Sequence, residues 1–414
     1  MVTLSHQNNL YYAALEMSSH FCAHFSTVDR LRRHDPGRRS RRLREIRTVV
    51  KKVKKTTLRD VAESAKVSVT VASRVVGNYG YVSLEKKKKV LKIAKELSYT
   101  PNFLARSLKT YTSFCIGVVI ADITTSFFNL LVRGADDVAR QNGYHLIICN
   151  SDESPKKEKD HLEELSSRKV DGIILCPTEK NIQKLKKMTR SGMPLVLVDR
   201  KLKEIDAVSI TVENSLGAME GVNHLIQHGY RRIGLIKGLP GISALEERFV
   251  GYKQALHAAS IPIDQELIRY GELNTVASRE AALELLQLKK PPDAFFIVSE
   301  AMIVGTILAI KERKLRIPED IGIVGFDDPL WAPILDPPLT TVRQPSYSVG
   351  TIAAQKLISQ LRGSGDAGTT RKENIVLRPE LIIRASCGEE ATAARAAGIR
   401  RPSRRAGSSR PLPL

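Results

Sequence analysis

Short runs of apolar, mostly β-branched residues alternate with amphipathic stretches from residue 115 to residue 326. The runs are bounded by polar or turn residues, a pattern that is typical of buried strands. They predict strands at 115–120, 145–149, 172–176 and 195–198, and a second series at 233–237, 267–270, 294–298 and 321–326. The intervening stretches repeat their apolar residues every three or four positions, which predicts helices at 127–141, 156–167, 181–191, 214–228, 245–258, 276–286 and 301–313.

This alternation predicts an α/β fold in which parallel sheets are covered by helices on both faces. Because the pattern occurs twice in succession, it predicts two similar lobes. A last stretch, with a helix at 346–361 and strands at 374–377 and 381–385, is expected to return to the first lobe. Ligands of open α/β sheets bind outside the carboxyl ends of the strands, so two facing lobes predict one shared cleft.

Residues 57–97 carry a different pattern, that of three short helices. Thr57 and Ser68 can each cap a helix start, and the third helix follows Ser83. Apolar residues at helical spacing predict the inward faces: Leu58, Val61, Ala62 and Ala65 on the first helix, Val71, Ala72, Val75 and Val76 on the second, and Val90, Ile93, Ala94 and Leu97 on the third. The second helix then presents outwards Val69, Thr70, Ser73 and Arg74. Two short helices joined by a tight turn and supported by a third predict a helix-turn-helix unit.

The positive charge of the chain is concentrated at its ends. The net charge is +21 over 414 residues, and residues 1–112 carry 24 Lys and Arg against 8 Asp and Glu. Residues 113–388 carry 35 against 34, and residues 389–414 carry 6 against 2. A basic front end joined to a neutral middle is typical of a nucleic-acid-binding module attached to a part with another task.

Several classes of protein are disfavoured by what the sequence lacks. The five cysteines are widely spaced without metal-ligand spacing, which indicates free thiols in a reducing compartment. No apolar run approaches the roughly 20 residues that a membrane helix needs, and no secretory signal is evident. Neither a phosphate-binding loop nor a nucleophile elbow is present. We therefore expect a cytoplasmic, nucleoid-associated protein with no catalytic residues, no metal site and no cofactor.

Two stretches together resemble the lac repressor and gal repressor family of bacterial transcriptional regulators. TLRDVAESAKVSVTVASRVV at 57–76 is similar to the family's DNA-binding headpiece, and YTPNFLARSL at 99–108 to its hinge. The likeness continues through Glu153, VDGII at 170–174, VDR at 198–200 and GFDD at 325–328. It covers about residues 56 to 388. The family's headpiece begins near the start of the chain, so the first 54 residues are a departure.

The resemblance implies five segments. They are a basic, disordered extension at 1–55, the helix-turn-helix headpiece at 56–100, a hinge helix and linker at 101–112, a two-lobed core similar to periplasmic sugar-binding proteins at 113–388, and a disordered tail at 389–414. The core would bind an effector and hold a homodimer together. The protein would then act as a regulator, expected to be a repressor, on double-stranded, pseudo-palindromic operator DNA.

DNA contacts follow from side-chain chemistry and from the resemblance. Arg74 suits the guanine edge in the major groove, and the methyl groups of Val69 and Thr70 suit thymine methyls. Thr57 and Ser68, at helix starts, suit phosphate contacts. The remaining expected contacts are Ser73 beside Arg74 and, by resemblance to the hinge, Asn102, Ala105 and Leu108, of which Leu108 would wedge into the minor groove. Lys66 stands where a small residue is favoured and would be strained by a positive φ.

The resemblance also carries over the effector contacts. They are Phe127, Phe128, Asp199, Arg248, Leu273, Ser299 and Asp327. A guanidinium and carboxylates can share a polyol's hydroxyl groups while an aromatic ring covers its apolar face, so a sugar or sugar derivative is expected. The family often has an aromatic residue where Leu273 stands, so a sugar phosphate and a purine or other nucleobase stay open.

Structural alternatives stand beside these assignments. Arg248 could be a surface arginine, Asp199 and Arg200 a strand-end ion pair, Asp327 the start of a turn, and one of Phe127 and Phe128 a core residue. Two other functions also fit parts of the sequence. An enzyme fits the α/β pattern alone, and a solute-binding receptor without a regulatory role fits the core but not the headpiece.

Overall fold

Three short helices make up the N-terminal unit of the computed structural model, which describes residues 56–77, 79–99, 112–363 and 373–388. They are α1 (Leu58–Ala65), α2 (Val69–Gly77) and α3 (Leu84–Glu96). The chain divides into two compact units after Asn102. The predicted extension, tail and hinge contacts Asn102, Ala105 and Leu108 lie outside the described residues.

Local sequence explains how α1 begins and ends. Thr57 forms a capping box with Asp60, since its hydroxyl accepts the Asp60 N–H and the Asp60 carboxylate accepts the Thr57 N–H at 2.7 Å. Lys66 ends the helix with φ at 52°. The expected strain at this position is therefore present, because non-glycine residues rarely adopt positive φ.

A small apolar core holds the three helices together. Its fully buried members all belong to the predicted inward faces: Val61, Ala62, Ala65, Ala72, Val75 and Val90. Leu58, Val76, Ile93, Ala94 and Leu97 pack against them. The predicted helix-turn-helix unit is confirmed, and so are its inward faces except at Val71, which is half-buried and lies outside this core.

The second unit contains twelve strands within the described residues. In chain order they are β1 (Cys115–Ile120), β2 (His145–Asn150), β3 (Gly172–Leu175), β4 (Leu195–Val198), β5 (Val208–Val212), β6 (Ile233–Lys237), β7 (Ile268–Tyr270), β8 (Ala294–Ile297), β9 (Gly322–Phe326), β10 (Thr340–Arg343), β11 (Asn374–Leu377) and β12 (Glu380–Ile382). The helices are α4 (Ser126–Gln141), α5 (Pro155–Ser167), α6 (Ile182–Arg190), α7 (Asn214–Gln227), α8 (Ser243–Ala258), α9 (Thr275–Leu286), α10 (Glu300–Glu312) and α11 (Ser346–Leu361).

The strands form two six-stranded sheets of the same topology. The first has the order β11-β5-β4-β3-β1-β2 and the second β12-β10-β9-β8-β6-β7. Every pairing is parallel except that of β12 with β10. Buried apolar clusters lie on both sides of the first sheet and around the second. The predicted two-lobed α/β core is confirmed.

The end of the chain departs from the expectation. α11 packs on α4 and β11 pairs with β5, so both return to the first lobe as predicted. β12 instead pairs with β10 of the second lobe, with Thr341 opposite Ile382. The prediction that this strand joins the first lobe is wrong, because β10 has an open edge that β12 covers.

The sequence pattern also missed β5 and β10. Both are buried strands that contain hydroxyl residues, so neither shows a continuous apolar run. Ser209 bonds to the Asn374 carboxamide oxygen at 3.0 Å, and the Thr340 hydroxyl donates to the Arg384 carbonyl at 2.9 Å. Because hydrogen bonds satisfy these side chains, the strands can stay buried.

The chain passes between the lobes three times. The crossings follow β5, β10 and β11, and the first two place Asn214 and Gln344 beside the boundary between the lobes. The four cysteines in the described part of the chain are free thiols, and Cys176 and Cys387 are buried. None of the described helices is long and apolar enough to cross a membrane.

Candidate DNA-reading helix and ligand cleft

α2 presents most of its predicted outer face to solvent. Val69 is 44% exposed, and Thr70 and Arg74 are also exposed. Ser73 differs, because it is half-buried and its hydroxyl bonds to the Tyr79 hydroxyl at 2.6 Å. Three of the four side chains are therefore available to a partner, whereas Ser73 anchors the segment that follows the helix.

The loop after α2 passes close to Arg74. Gly80 has φ at +68°, and a Cβ there would lie 3.4 Å from Arg74 Cδ. Gly80 therefore lies near the side chain of Arg74, which is exposed.

Thr57 and Ser68 act as helix caps. Ser68 Oγ accepts the Val71 N–H at 3.2 Å, and Thr57 Oγ1 donates to Asp60 Oδ2 at 2.9 Å. The phosphate contacts expected of both residues stay predictions. Asp60 places a carboxylate beside Thr57, which makes Ser68 the more favourable of the two for an anion.

A cavity of about 280 Å³ lies between the carboxyl ends of the two sheets. It is bordered by the strand-end loops of both lobes. Among its lining residues are all seven that the sequence assigned to the effector: Phe127, Phe128, Asp199, Arg248, Leu273, Ser299 and Asp327.

Asp199 and Asp327 hold equivalent places in the two lobes. Each directly follows a central strand, β4 or β9, and each adopts a positive φ, 66° and 78° respectively. The Asp199 N–H still bonds to Ile210 of β5, and the Asp327 N–H to Val342 of β10. The neighbouring strands therefore fix both backbones while the carboxylates turn into the cleft.

Arg248 is buried, with 4% of its surface exposed. Its Nε donates to Asn214 Oδ1 at 2.9 Å and its Nη1 to the Val298 carbonyl at 2.6 Å. The guanidinium lies 3.7 Å from the centre of the Phe326 ring. Burial lowers the Arg248 pKa, and the nearby charges of Asp327 and Asp199 act in the opposite direction. The alternative that Arg248 is a surface arginine is wrong.

A second buried arginine lies beside Asp199. Arg200 holds the Glu153 carboxylate with both terminal nitrogens, bonds to the Pro177 carbonyl at 3.0 Å and contacts Asp199 Oδ2 at 3.2 Å. Burial raises the pKa of Asp199, against the opposing charges of Arg200 and Arg248. Asp199 therefore forms the strand-end ion pair with Arg200 and also lies in the cleft.

Asp327 is fixed on both of its oxygens. Oδ1 accepts a hydrogen bond from Gln344 Nε2 at 2.6 Å, and Oδ2 accepts the Glu300 N–H at 3.1 Å. Gln344 also lines the cavity and was missed in the sequence. The sequence feature that could have identified Gln344 is its position as a polar residue directly after a strand, but β10 itself had not been recognised.

Apolar side chains complete the wall. Phe127 and Phe128 are both buried, pack edge to face at 4.9 Å and also line the cavity. Each therefore belongs to the core and to the cleft. Leu273, with φ at 54°, lies opposite in the second lobe.

Negative side chains outnumber positive ones around the cavity. The acidic lining residues are Asp122, Asp152, Glu153, Asp199, Glu272 and Asp327, and the basic ones are Arg200 and Arg248. One of the two arginines already holds Glu153. The lining therefore offers many acceptors and little net attraction for an anion. The described residues contain no group of three side chains suited to a metal ion.

Comparison with known proteins gives matches to both units. Residues 57–102 match the family described as bacterial regulatory proteins, lacI family, and residues 222–387 match a periplasmic binding protein-like domain. The HTH-type transcriptional regulator RegA of Clostridium saccharobutylicum is 36% identical over 332 residues, which is 80% of this chain and 99% of that protein.

Two solved structures are similar to the chain. A lac repressor dimer bound to operator and the anti-inducer ONPF has a TM-score of 0.72 and 26% identity, and the match covers 81% of this chain and all of that one. A lacI family regulator of Enterococcus faecium with bound ribose has a TM-score of 0.60 and 25% identity, over 66% of this chain and 98% of that one.

Proposed function

The chain belongs to the lacI family of DNA-binding transcriptional regulators, and from that premise we propose that a small, uncharged sugar in the cleft controls its affinity for operator DNA. It acts by binding rather than by catalysis. The observation that carries the proposal is the placement of Arg248 between Asp199 and Asp327 at the carboxyl ends of two sheets.

α2 is the proposed reading helix. Val69, Thr70 and Arg74 lie exposed on one face of a helix whose other face packs in the small core. Insertion of this face into the major groove would bring a guanidinium and two methyl-bearing side chains to the base edges. Ser68 is proposed to contact a phosphate at the start of the same helix.

The hinge contacts remain a proposal supported by the family. Asn102, Ala105 and Leu108 lie outside the described residues, and their assignment rests on the likeness of residues 99–108 to the family hinge. A six-residue helix is unstable alone, so its formation would require a second hinge and the minor groove.

The side chains that line the cleft are suited to binding a polyol. Arg248 bonds to Asn214 and Val298 through Nε and Nη1, which leaves Nη2 for a ligand hydroxyl. The carboxylates of Asp199 and Asp327 can accept hydrogen bonds from the same ligand, and the two phenylalanines, Phe127 and Phe128, supply an apolar wall.

The size and charge of the cavity restrict the class of ligand that it can bind. A cavity of about 280 Å³ is at the lower end of ligand pockets, which span about 300 to 1,000 Å³. The excess of carboxylates opposes a phosphate group, because no lysine and only two engaged arginines line the cavity. A neutral monosaccharide fits both constraints better than a sugar phosphate. The similar Enterococcus faecium regulator was solved with bound ribose.

Calorimetric titration tests the ligand class. The full chain is titrated with a panel of neutral pentoses and hexoses, with their phosphate esters and with purine bases. We expect binding by at least one neutral sugar and at least tenfold weaker binding by its phosphate ester. Tighter binding of the ester or of a purine would contradict the proposed class, while leaving the DNA-binding role intact.

Selection from a random DNA pool tests the regulatory role and the dimer. The full chain is incubated with randomised duplexes at moderate ionic strength, and bound sequences are determined. We expect enrichment of an inverted repeat, because a two-fold symmetric homodimer reads two half-sites. Enrichment of a single half-site would argue against the dimer, and enrichment of no motif would argue against specific recognition by this chain.

A further inference from the structure

Helix α4 begins without a side-chain cap from its own lobe. Thr125 precedes its first residue, but the Thr125 hydroxyl donates to the Asp122 carbonyl at 3.1 Å instead. The Ser126 N–H donates to Glu300 Oε2 at 2.8 Å, and the Ser126 hydroxyl bonds to the same oxygen. Glu300 belongs to the second lobe, where it is the first residue of α10. A carboxylate of one lobe thus caps a helix of the other.

The same arrangement occurs in the opposite direction. Helix α8 of the second lobe begins after Ile242, which has no side-chain acceptor. The Ser243 N–H donates to Glu179 Oε1 at 2.9 Å. Glu179 belongs to the first lobe and follows β3, with φ at 64°. The two contacts are therefore reciprocal.

Two other helices of the core have side-chain caps within their own lobe. Ser154 accepts the Lys157 N–H at the start of α5, and Asn274 accepts the Ala277 N–H at the start of α9. α4 and α8, the helices capped from the opposite lobe, both carry cleft residues in their first two turns. Their caps therefore lie at the boundary between the lobes.

We propose that Glu179 and Glu300 form a pair of trans caps that hold the two lobes together beside the cleft. Each cap requires both lobes, because donor and acceptor lie on different ones. A carboxylate at a helix N-terminus is favoured by the helix dipole and by a charge-assisted hydrogen bond. Separation of the lobes breaks both caps at once and leaves two helix starts without a side-chain acceptor.

The trans caps are connected to the cleft. The Glu300 N–H donates to Asp327 Oδ2, so the residue that caps α4 also fixes a cleft carboxylate. α4 carries Phe127, and α8 carries Arg248. The trans caps therefore position the two helices that carry these cleft residues. Release of the caps changes the fraction of protein in the closed arrangement, and with it the apparent affinity for a ligand that prefers one arrangement.

Residue-resolved hydrogen exchange on the ligand-free full chain tests this inference. It needs no ligand, so it is independent of which effector the cleft binds. If one motion releases both caps, the Ser126 and Ser243 amides have the same protection factor within about twofold. Glu300→Ala is expected to accelerate exchange at both amides by about fivefold, the effect of losing a cap of ordinary strength. Glu179→Ala should do the same.

Two further variants make the outcome decisive. Glu164→Ala removes a carboxylate that pairs with Arg168 within α5, and it should change neither amide. Glu300→Gln keeps the size of the side chain and should accelerate exchange at both amides, as Glu300→Ala does. It provides the test if the alanine variant folds poorly. Acceleration confined to the helix next to the altered glutamate would show two independent local caps and overturn the proposal. Unchanged exchange at both amides would overturn it as well.

Discussion

Asp199 and Asp327 face the same cleft from the ends of equivalent strands, and both hold left-handed backbone conformations that the neighbouring strands fix by hydrogen bonds. Both carboxylates act on one guanidinium, since each raises the pKa of Arg248 against the effect of burial. Asp199 has a second positive partner in Arg200, at 3.2 Å. Arg248, Asp199 and Asp327 therefore belong to one group of interacting buried charges at the cleft.

Arg248 should therefore be required for stability even without ligand. Arg248→Met removes a buried positive charge near Asp199 and Asp327 and leaves the Asn214 and Val298 oxygens without their donors. We expect a loss of about 3 kcal/mol in the free energy of unfolding. Arg248→Lys keeps the charge but loses the paired geometry, and should lose about 2 kcal/mol.

Urea unfolding of the full chain, followed by far-ultraviolet circular dichroism, measures both effects. Arg133→Met is the matched control, because Arg133 is exposed and pairs only with Asp137 within α4. It should change the free energy by less than about 0.5 kcal/mol. Equal effects of the Arg248 and Arg133 variants would show that the cleft carboxylates do not need Arg248.

Arg74 should determine DNA specificity rather than general affinity. Arg74→Ala removes the exposed guanidinium of α2 without changing the small core, since Arg74 is not among the buried residues. We expect a loss of about 1–3 kcal/mol on the selected operator and little change on random duplexes.

Fluorescence anisotropy with labelled duplexes at fixed salt measures this difference. Arg133→Ala, which removes an exposed arginine from the other unit, serves as control. A uniform loss of affinity on all sequences would assign Arg74 to the phosphate backbone instead of the base edges.

Local patterns predicted most of the fold, and the failures share one physical cause. The two strands that were missed are β5 and β10. Both can be buried because Ser209 and Thr340 form hydrogen bonds with residues more than 40 positions away. A local sequence pattern cannot show such distant partners. The pairing of β12 with β10 is likewise a contact between segments that are far apart in sequence.

The cleft was predicted only in part for a related reason. Asp199 and Asp327 were assigned through the resemblance to the family, and both directly follow recognised strands, whose carboxyl ends meet at one edge of a parallel sheet. Gln344 follows an unrecognised strand and was missed. Glu300 was not assigned to the site, because its partner Ser126 lies on the other lobe, 174 positions away.

Lys66 should be a site where the N-terminal unit can be stabilised. It ends α1 with φ at 52°, which costs a side-chain-bearing residue about 1 kcal/mol relative to glycine. Lys66→Gly is expected to slow hydrogen exchange at the Val61 and Ala65 amides by about fivefold. Lys95→Gly, which places glycine within α3, should accelerate exchange in the same unit. Faster exchange in the Lys66 variant would mean that the lysine side chain stabilises the turn.

A pair of buried histidines should make the second unit sensitive to acid. His224 and His228 lie one turn apart on α7, both 6% exposed, with ring centres 4.4 Å apart. Within the described part of the chain, His224 Nε2 and His228 Nδ1 have no hydrogen-bond partner. Burial, with a smaller contribution from His228, lowers the pKa of His224 to about 4. The folded state therefore favours neutral His224, and the unfolded chain binds the proton more readily.

The sign of the pH effect follows from this difference. Stability is complete above the unfolded pKa of about 6.5 and falls as the pH approaches 4, by about 2 kcal/mol between pH 7 and pH 4.5. His224→Gln removes the titrating ring, and its free energy of unfolding should depend less on pH across this range. His257→Gln, a change at an exposed position on α8, should keep the wild-type dependence. Urea unfolding at pH 7, 6, 5 and 4.5 compares the three proteins, and parallel curves for all of them would place the acid sensitivity elsewhere in the chain.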